Sequence, residues 1–189
     1  MSLPMTLQRV KDEGHAVFTH GQYNLNIVGV RSSPGEVNTF DDSLHLIYKG
    51  SNDEWVDISV PCTTDPGLYW LQNLMNVGGT AILKAGQYRG AYLIGKHRGL
   101  YPALVQRRPV KCYRDRNRDA VLDFDVPVTE GLYGINIHHA GYDSKRVEKW
   151  SAGCTVVGSL LDWNIIWSII ERSAAIYGDR FTYTLIEDT

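Results

Sequence analysis

The chain has no apolar run approaching the roughly 20 residues that a membrane-spanning helix needs. Its opening, MSLPMTLQRVKDEGH, lacks the apolar stretch of a secretory signal, so synthesis in the cytoplasm is expected. Net charge is small: 19 Lys and Arg against 21 Asp and Glu leave −2. That balance argues against nucleic acid and against an anionic membrane surface as the main partner. Cysteine is scarce: Cys62, Cys112 and Cys154 are odd in number, widely spaced and without a CxxC pair. A disulfide framework and a zinc cage are both disfavoured by that count. There is no internal repeat, no low-complexity block and no linker, so residues 1–189 are read as one domain.

What is present is a β pattern. Tyr23–Val30, Ser43–Tyr48 and Trp55–Val60 are short runs rich in β-branched and aromatic residues, separated by turn clusters such as SSPGEVN and KGSND. Ala81–Leu83, Tyr88–Ile94, Leu104–Gln106 and Val110–Tyr113 continue it, and Arg180–Ile186 closes it. Residues 5–13 read as a short helix, and 61–77 as an aromatic segment of undecided type. One long helix is expected over 159–176, where Leu160, Leu161, Trp163, Ile165, Ile166, Trp167, Ile169 and Ile170 build a broad apolar face that Gly178 ends. The expected class is mainly β, a sandwich or barrel, with one long C-terminal helix.

The chemistry concentrates between Gly134 and Val157. His138 and His139 precede a Ser151-Ala152-Gly153-Cys154 turn, with His138 sixteen positions before Cys154. Cysteine is a nucleophile as thiolate, and a nearby imidazole is the usual means of making one. Small residues before it permit a sharp turn and present backbone amides to a developing oxyanion. A buried structural cysteine is the plain alternative for Cys154, and the better reading for Cys62 and Cys112. Adjacent residues of a strand face opposite sides, so only one of the two histidines should meet the thiol. His97 is a substrate-binding or supporting candidate, with a satisfied histidine as its alternative. Trp150 either walls the pocket or packs. A backbone carbonyl or an acid such as Asp143 would orient the base. The pairs Arg107-Arg108 and Lys145-Arg146 read as solvated, though either could meet a substrate carboxylate. The Asp115–Asp125 stretch spaces oxygen donors like a calcium loop, but Ala120 and Val126 stand where glycine and glutamate belong, so an Asx-stapled turn is favoured over a metal site.

Ile137-His138-His139 and Ser151-Ala152-Gly153-Cys154 resemble the two motif elements of the L,D-transpeptidase catalytic domain (YkuD-like) family, an Ile-His-Gly strand end and a Ser-His-Gly-Cys turn. The resemblance covers residues 131–157, and the chain is also similar to small phage and bacterial proteins with a Ser-x-Gly-Cys form of the motif. It implies a β-sandwich-like fold, Cys154 as nucleophile and His138 as base. It implies an oxyanion hole from the Gly153 and Cys154 amides, with Ser151 supporting the turn. His139, His97 and Trp150 are taken, from the residues themselves, as substrate-binding candidates. The family's substrate is a peptidoglycan stem peptide, cross-linked or hydrolysed without a cofactor. The chain departs from the pattern at His139, at Ala152, and at Val156, where the family has an arginine.

The expected function is therefore cysteine-dependent acyl transfer on wall peptides, by a phage- or prophage-associated protein that reaches the wall by release or as part of a virion. The rivals are a non-catalytic wall-binding or virion module that kept the fold, and a cytosolic cysteine amidase. Either enzyme reading expects a lowered thiol pKa and faster alkylation at Cys154 than at Cys62 or Cys112.

Overall fold

The protein, seen in a computed structural model that describes residues 2–33 and 35–188, is mainly β with a long helix near its C-terminus. Pro34, in the SSPGEVN turn, lies outside the described residues. Strands β1 (Asn26–Arg31), β2 (Asp42–Lys49) and β3 (Trp55–Thr63) follow helix α1 (Met5–Asp12). After the short helix α2 (Leu68–Gln72) come β4 (Thr80–Leu83), β5 (Gly86–His97), β6 (Tyr101–Gln106), β7 (Val110–Asp115) and β8 (Val128–Gly131). The last elements are β9 (Ile137–His139), β10 (Thr155–Val157), α3 (Leu160–Tyr177) and β11 (Arg180–Glu187).

Eight strands close into a barrel in the order β1-β11-β5-β6-β9-β10-β3-β2, and β4-β7-β8 form a separate sheet. Of the two expected arrangements, sandwich or barrel, the described strands form a barrel, with a small sheet beside it. Closure leaves the barrel no open edge. Two of its pairings, β1 with β11 and β9 with β10, are parallel. The aromatic segment 61–77 divides: Pro61–Thr63 extend β3 and Leu68–Gln72 form α2. Tyr23 has φ of 57°, so the first strand starts at Asn26 rather than at Tyr23. No helix among the described residues is long and apolar enough to cross a membrane.

Alternation along the strands explains the layers. Ile27, Leu44, Leu46, Leu104, Ile137, Val157, Tyr183 and Leu185 point to the main core, and α3 adds Trp163, Ile166 and Ile170 to it. Their neighbours Val28, Val30, Ile47 and Ile186 point the other way and are covered by Leu7 and Val10 of α1. Helix α3 starts where the Ser159 hydroxyl accepts the Asp162 amide at 3.3 Å, and it ends at Gly178, whose φ of 88° suits glycine. The 115–125 loop is held by Asx contacts: Asn117 Nδ2 donates to Asp123 Oδ2 at 2.6 Å, and Asp119 Oδ1 accepts the Val121 amide at 2.9 Å.

Trp163 is 2% exposed and Leu161 is 58% exposed. Trp163→Ala should cost about 3–5 kcal/mol in urea unfolding. Leu161→Ala should change stability by no more than about 0.5 kcal/mol.

Candidate active site

Strand parity builds the site. Ile135 and Ile137 belong to the main core, so Asn136 and His138 face the opposite side. On β10, Val157 points to the core while Cys154 and Val156 pack outside it with Ala140 and Phe40. Parallel pairing places Val156 opposite His138 and Thr155 opposite Ile137, so the residue that enters β10, Cys154, lands beside the histidine face of β9. The hairpin of β5 and β6 closes over that face: the His97 ring stacks on His138 at 3.9 Å between centroids and 27° between planes. One ring nitrogen of His97, one of His138 and Cys154 Sγ lie within 4.8 Å of one another.

Hydrogen bonds set the protonation pattern. His138 Nδ1 lies 2.7 Å from the His139 carbonyl oxygen, which can only accept, so this nitrogen carries the proton. Nε2 then offers a bare lone pair, is buried, and has no hydrogen-bond partner among the described residues. The orienting group is thus a backbone carbonyl; Asp143 instead pairs with Lys145 at 2.8 Å. Cys154 Sγ accepts the Asn136 amide at 3.3 Å, and the Asn136 side-chain amide reaches His97 Nδ1 at 3.1 Å. Burial, reinforced by the neighbouring His97, pushes His138 down to about 3. Burial pushes the Cys154 thiol up to about 11, with the Asn136 amide pulling weakly the other way. At neutral pH the pair is a thiol beside a neutral imidazole, not the ready thiolate that the motif alone suggests.

The turn before Cys154 is clamped by Ser151. Its buried hydroxyl donates to the Cys154 carbonyl at 2.8 Å and accepts the Gly153 amide at 3.1 Å. That occupies one of the two amides expected to face an oxyanion; the Cys154 amide has no acceptor among the described residues. Gly153 has φ of 120°, and a Cβ there would meet the Ala81 carbonyl oxygen at 2.5 Å, so only glycine fits.

Cys154 opens onto a cleft of about 380 Å³ walled by Trp70, His97, Tyr101, Tyr133, Asn136 and Trp150. His139 lies elsewhere: its ring sits between Tyr101, at 4.5 Å, and Trp163, at 6.0 Å, and does not line the cleft. Asn136, Tyr101 and Gln106 were not singled out from the sequence. Asn136 shares the parity of His138, the one sequence signal that could have found it. Gln106 Oε1 accepts the amides of Tyr133 and Ile135 at 3.1 and 2.9 Å and so fixes the approach to β9. His97, His138 and Cys154 form a donor set that suits a soft ion such as zinc, but tetrahedral ligands sit about 3.5 Å apart, so the trio would have to contract. Compared with known proteins, the chain matches no protein-family model, no curated protein and no solved structure.

Alkylation of Cys154 by iodoacetamide should rise about tenfold per pH unit from neutrality to about pH 10, without a plateau. Cys62 and Cys112 are fully buried and should react more slowly. Peptide mass spectrometry of the alkylated protein reads all three, and a rate already level below pH 7 would reveal an imidazolium–thiolate pair instead.

Proposed function

We propose that this protein is a cysteine-dependent acyl-transfer enzyme acting on peptidoglycan stem peptides. The observation that carries the proposal is a ring nitrogen of buried His138 lying within 4.8 Å of Cys154 Sγ, where Cys154 lines a cleft, with Nε2 of that ring left without a hydrogen-bond partner among the described residues. A buried imidazole nitrogen without a partner is costly to keep, and a role in accepting a proton accounts for its presence. The likeness of Ile137-His138 and Ser151-x-Gly153-Cys154 to the L,D-transpeptidase motif supports the choice of substrate.

In the proposed reaction, substrate displaces water from the cleft and sets its carbonyl carbon against Sγ. The thiol proton passes to His138 Nε2 as the sulfur–carbon bond forms and the carbonyl electron pair moves to oxygen. Rising positive charge on His138 is met by the His139 carbonyl at Nδ1. Collapse of the intermediate breaks the carbon–nitrogen bond, and the departing amine takes the proton from His138. The resulting thioester passes its acyl group to water or to a second amine, with His138 again accepting and returning a proton. Because both groups rest neutral, proton transfer accompanies attack rather than preceding it.

A second reading is a wall-binding module that retains the fold without catalysis. The raised thiol pKa favours it, as does Val156, which is fully buried where the resembled family has an arginine. Purified sacculi separate the two. Wild type should change the muropeptide mass spectrum, by cleaved stems or by new cross-links, while Cys154→Ala should leave it as in the untreated control. His138→Gln should slow the change by roughly 10²–10⁴-fold. An unchanged spectrum with folded wild type would remove the wall-enzyme reading.

A further inference from the structure

The cleft does not end at Cys154. A second hollow of about 260 Å³ continues from it and shares Trp70, Met75, Tyr133, Ile135 and Ala152 with the first. Across both hollows the fixed charges are Arg98, Lys149 and Arg114, and no lining residue is acidic. A trough with cations and no counter-charge selects an anionic occupant.

Arg114 differs from the other two cations. Arg98 and Lys149 are exposed, whereas Arg114 is half-buried on β7. Its Nε donates to Thr129 Oγ1 at 2.8 Å, its Nη1 reaches the Gly79 carbonyl at 3.3 Å, and its guanidinium lies 4.0 Å from the centre of the Tyr133 ring. Three contacts fix the plane of the fork, so little side-chain freedom is left to lose on binding. Among the described residues Nη2 has no acceptor and no carboxylate pairs with the guanidinium. Asp123 lines a further hollow together with Arg114, but its carboxylate receives Asn117 Nδ2 at 2.6 Å. Arginine held flat and unpaired beside a hollow is suited to a planar anion of carboxylate geometry.

We infer that the second hollow is a carboxylate subsite in which Arg114 holds the acid group of a peptide whose carbonyl lies at Cys154. What occupies the first hollow rests on the acyl-transfer reading; the anion preference of the second does not. The shared walls, Tyr133, Ile135 and Ala152, let one extended chain run through both. The subsite then sets which peptides are accepted: a free carboxylate at the right reach is favoured over its amide.

The test is a titration of 15N-labelled Cys154→Ala protein with N-acetyl-trialanine as the free acid and as the C-terminal amide. The acid should bind about tenfold tighter than the amide and should shift the Arg114 Nε–H signal, which the amide leaves in place. In Arg114→Gln, made on the same background, the two peptides should bind within about threefold of each other, and Arg114→Lys should keep part of the preference. Equal binding of acid and amide by the Cys154→Ala protein would overturn the inference. So would an undiminished preference in Arg114→Gln, or no binding of the acid at millimolar concentration. The Arg114 signal decides the matter even if Arg114→Gln fails to fold. No thiol takes part, so failure on sacculi and failure here are separate results.

Discussion

The candidate site depends on one pairing, the three-residue parallel ladder between β9 and β10. The Thr155 amide donates to the Asn136 carbonyl at 3.0 Å, and the Ala140 amide to the Val157 carbonyl at 2.8 Å. These bonds set the register that puts Val156 opposite His138. A slip of one residue would turn every side chain of β10 to the other face, sending Cys154 toward the core and Val157 out of it. So short a ladder is held by its surroundings. Strand β10 also pairs with β3, and α3 packs across both β9 and β10. The hydrophobic burial that closes the barrel is therefore also what positions Cys154.

Around that ladder the loops are tied by polar side chains. Asn38 Oδ1 accepts the Glu148 amide at 2.6 Å and the Leu68 amide at 3.3 Å, and the Gly67 amide donates to the Ser151 carbonyl at 2.9 Å. The segment before Cys154 is thus fastened to the start of α2. Beneath it, buried Arg31 donates to Thr64 and to the Leu83 carbonyl, while Asp42 accepts both the amide and the hydroxyl of Thr64. Arg31 also lies 2.9 Å from Asp65, whose carboxyl burial raises to about 6. Removing one partner from such a cluster would leave a charge buried and uncompensated, which costs more than the pair contributes.

The long elements were legible in the sequence because their periodicity runs over many residues: β2, β3, β5 and α3 are cases. Strands β8 and β10 were not, since so few residues carry no period to read and their pairing partners are distant in the chain; β9 was read only as a strand end at Ile137-His138. Cys154 and His138 stood out by residue type and by the glycine turn. The stacking of His97 on His138 was not legible, because it needs the β5–β6 hairpin to fold over β9. Burial was hidden in the same way. The motif suggests an activated thiolate, whereas desolvation in the folded chain holds the thiol protonated and the imidazole neutral. His139 was taken as a substrate-binding candidate, yet its ring lies between Tyr101 and Trp163, away from the cleft.

The central claim is that Cys154 carries an acyl group during turnover, with His138 as the proton acceptor. Rapid quenching of wild type with a stem tetrapeptide, followed by intact-protein and peptide mass spectrometry, tests it directly. The account predicts a thioester adduct confined to Cys154, absent in Cys154→Ala and formed far more slowly in His138→Gln. Turnover of the peptide without any adduct at Cys154, or an adduct that forms equally fast in His138→Gln, would contradict it.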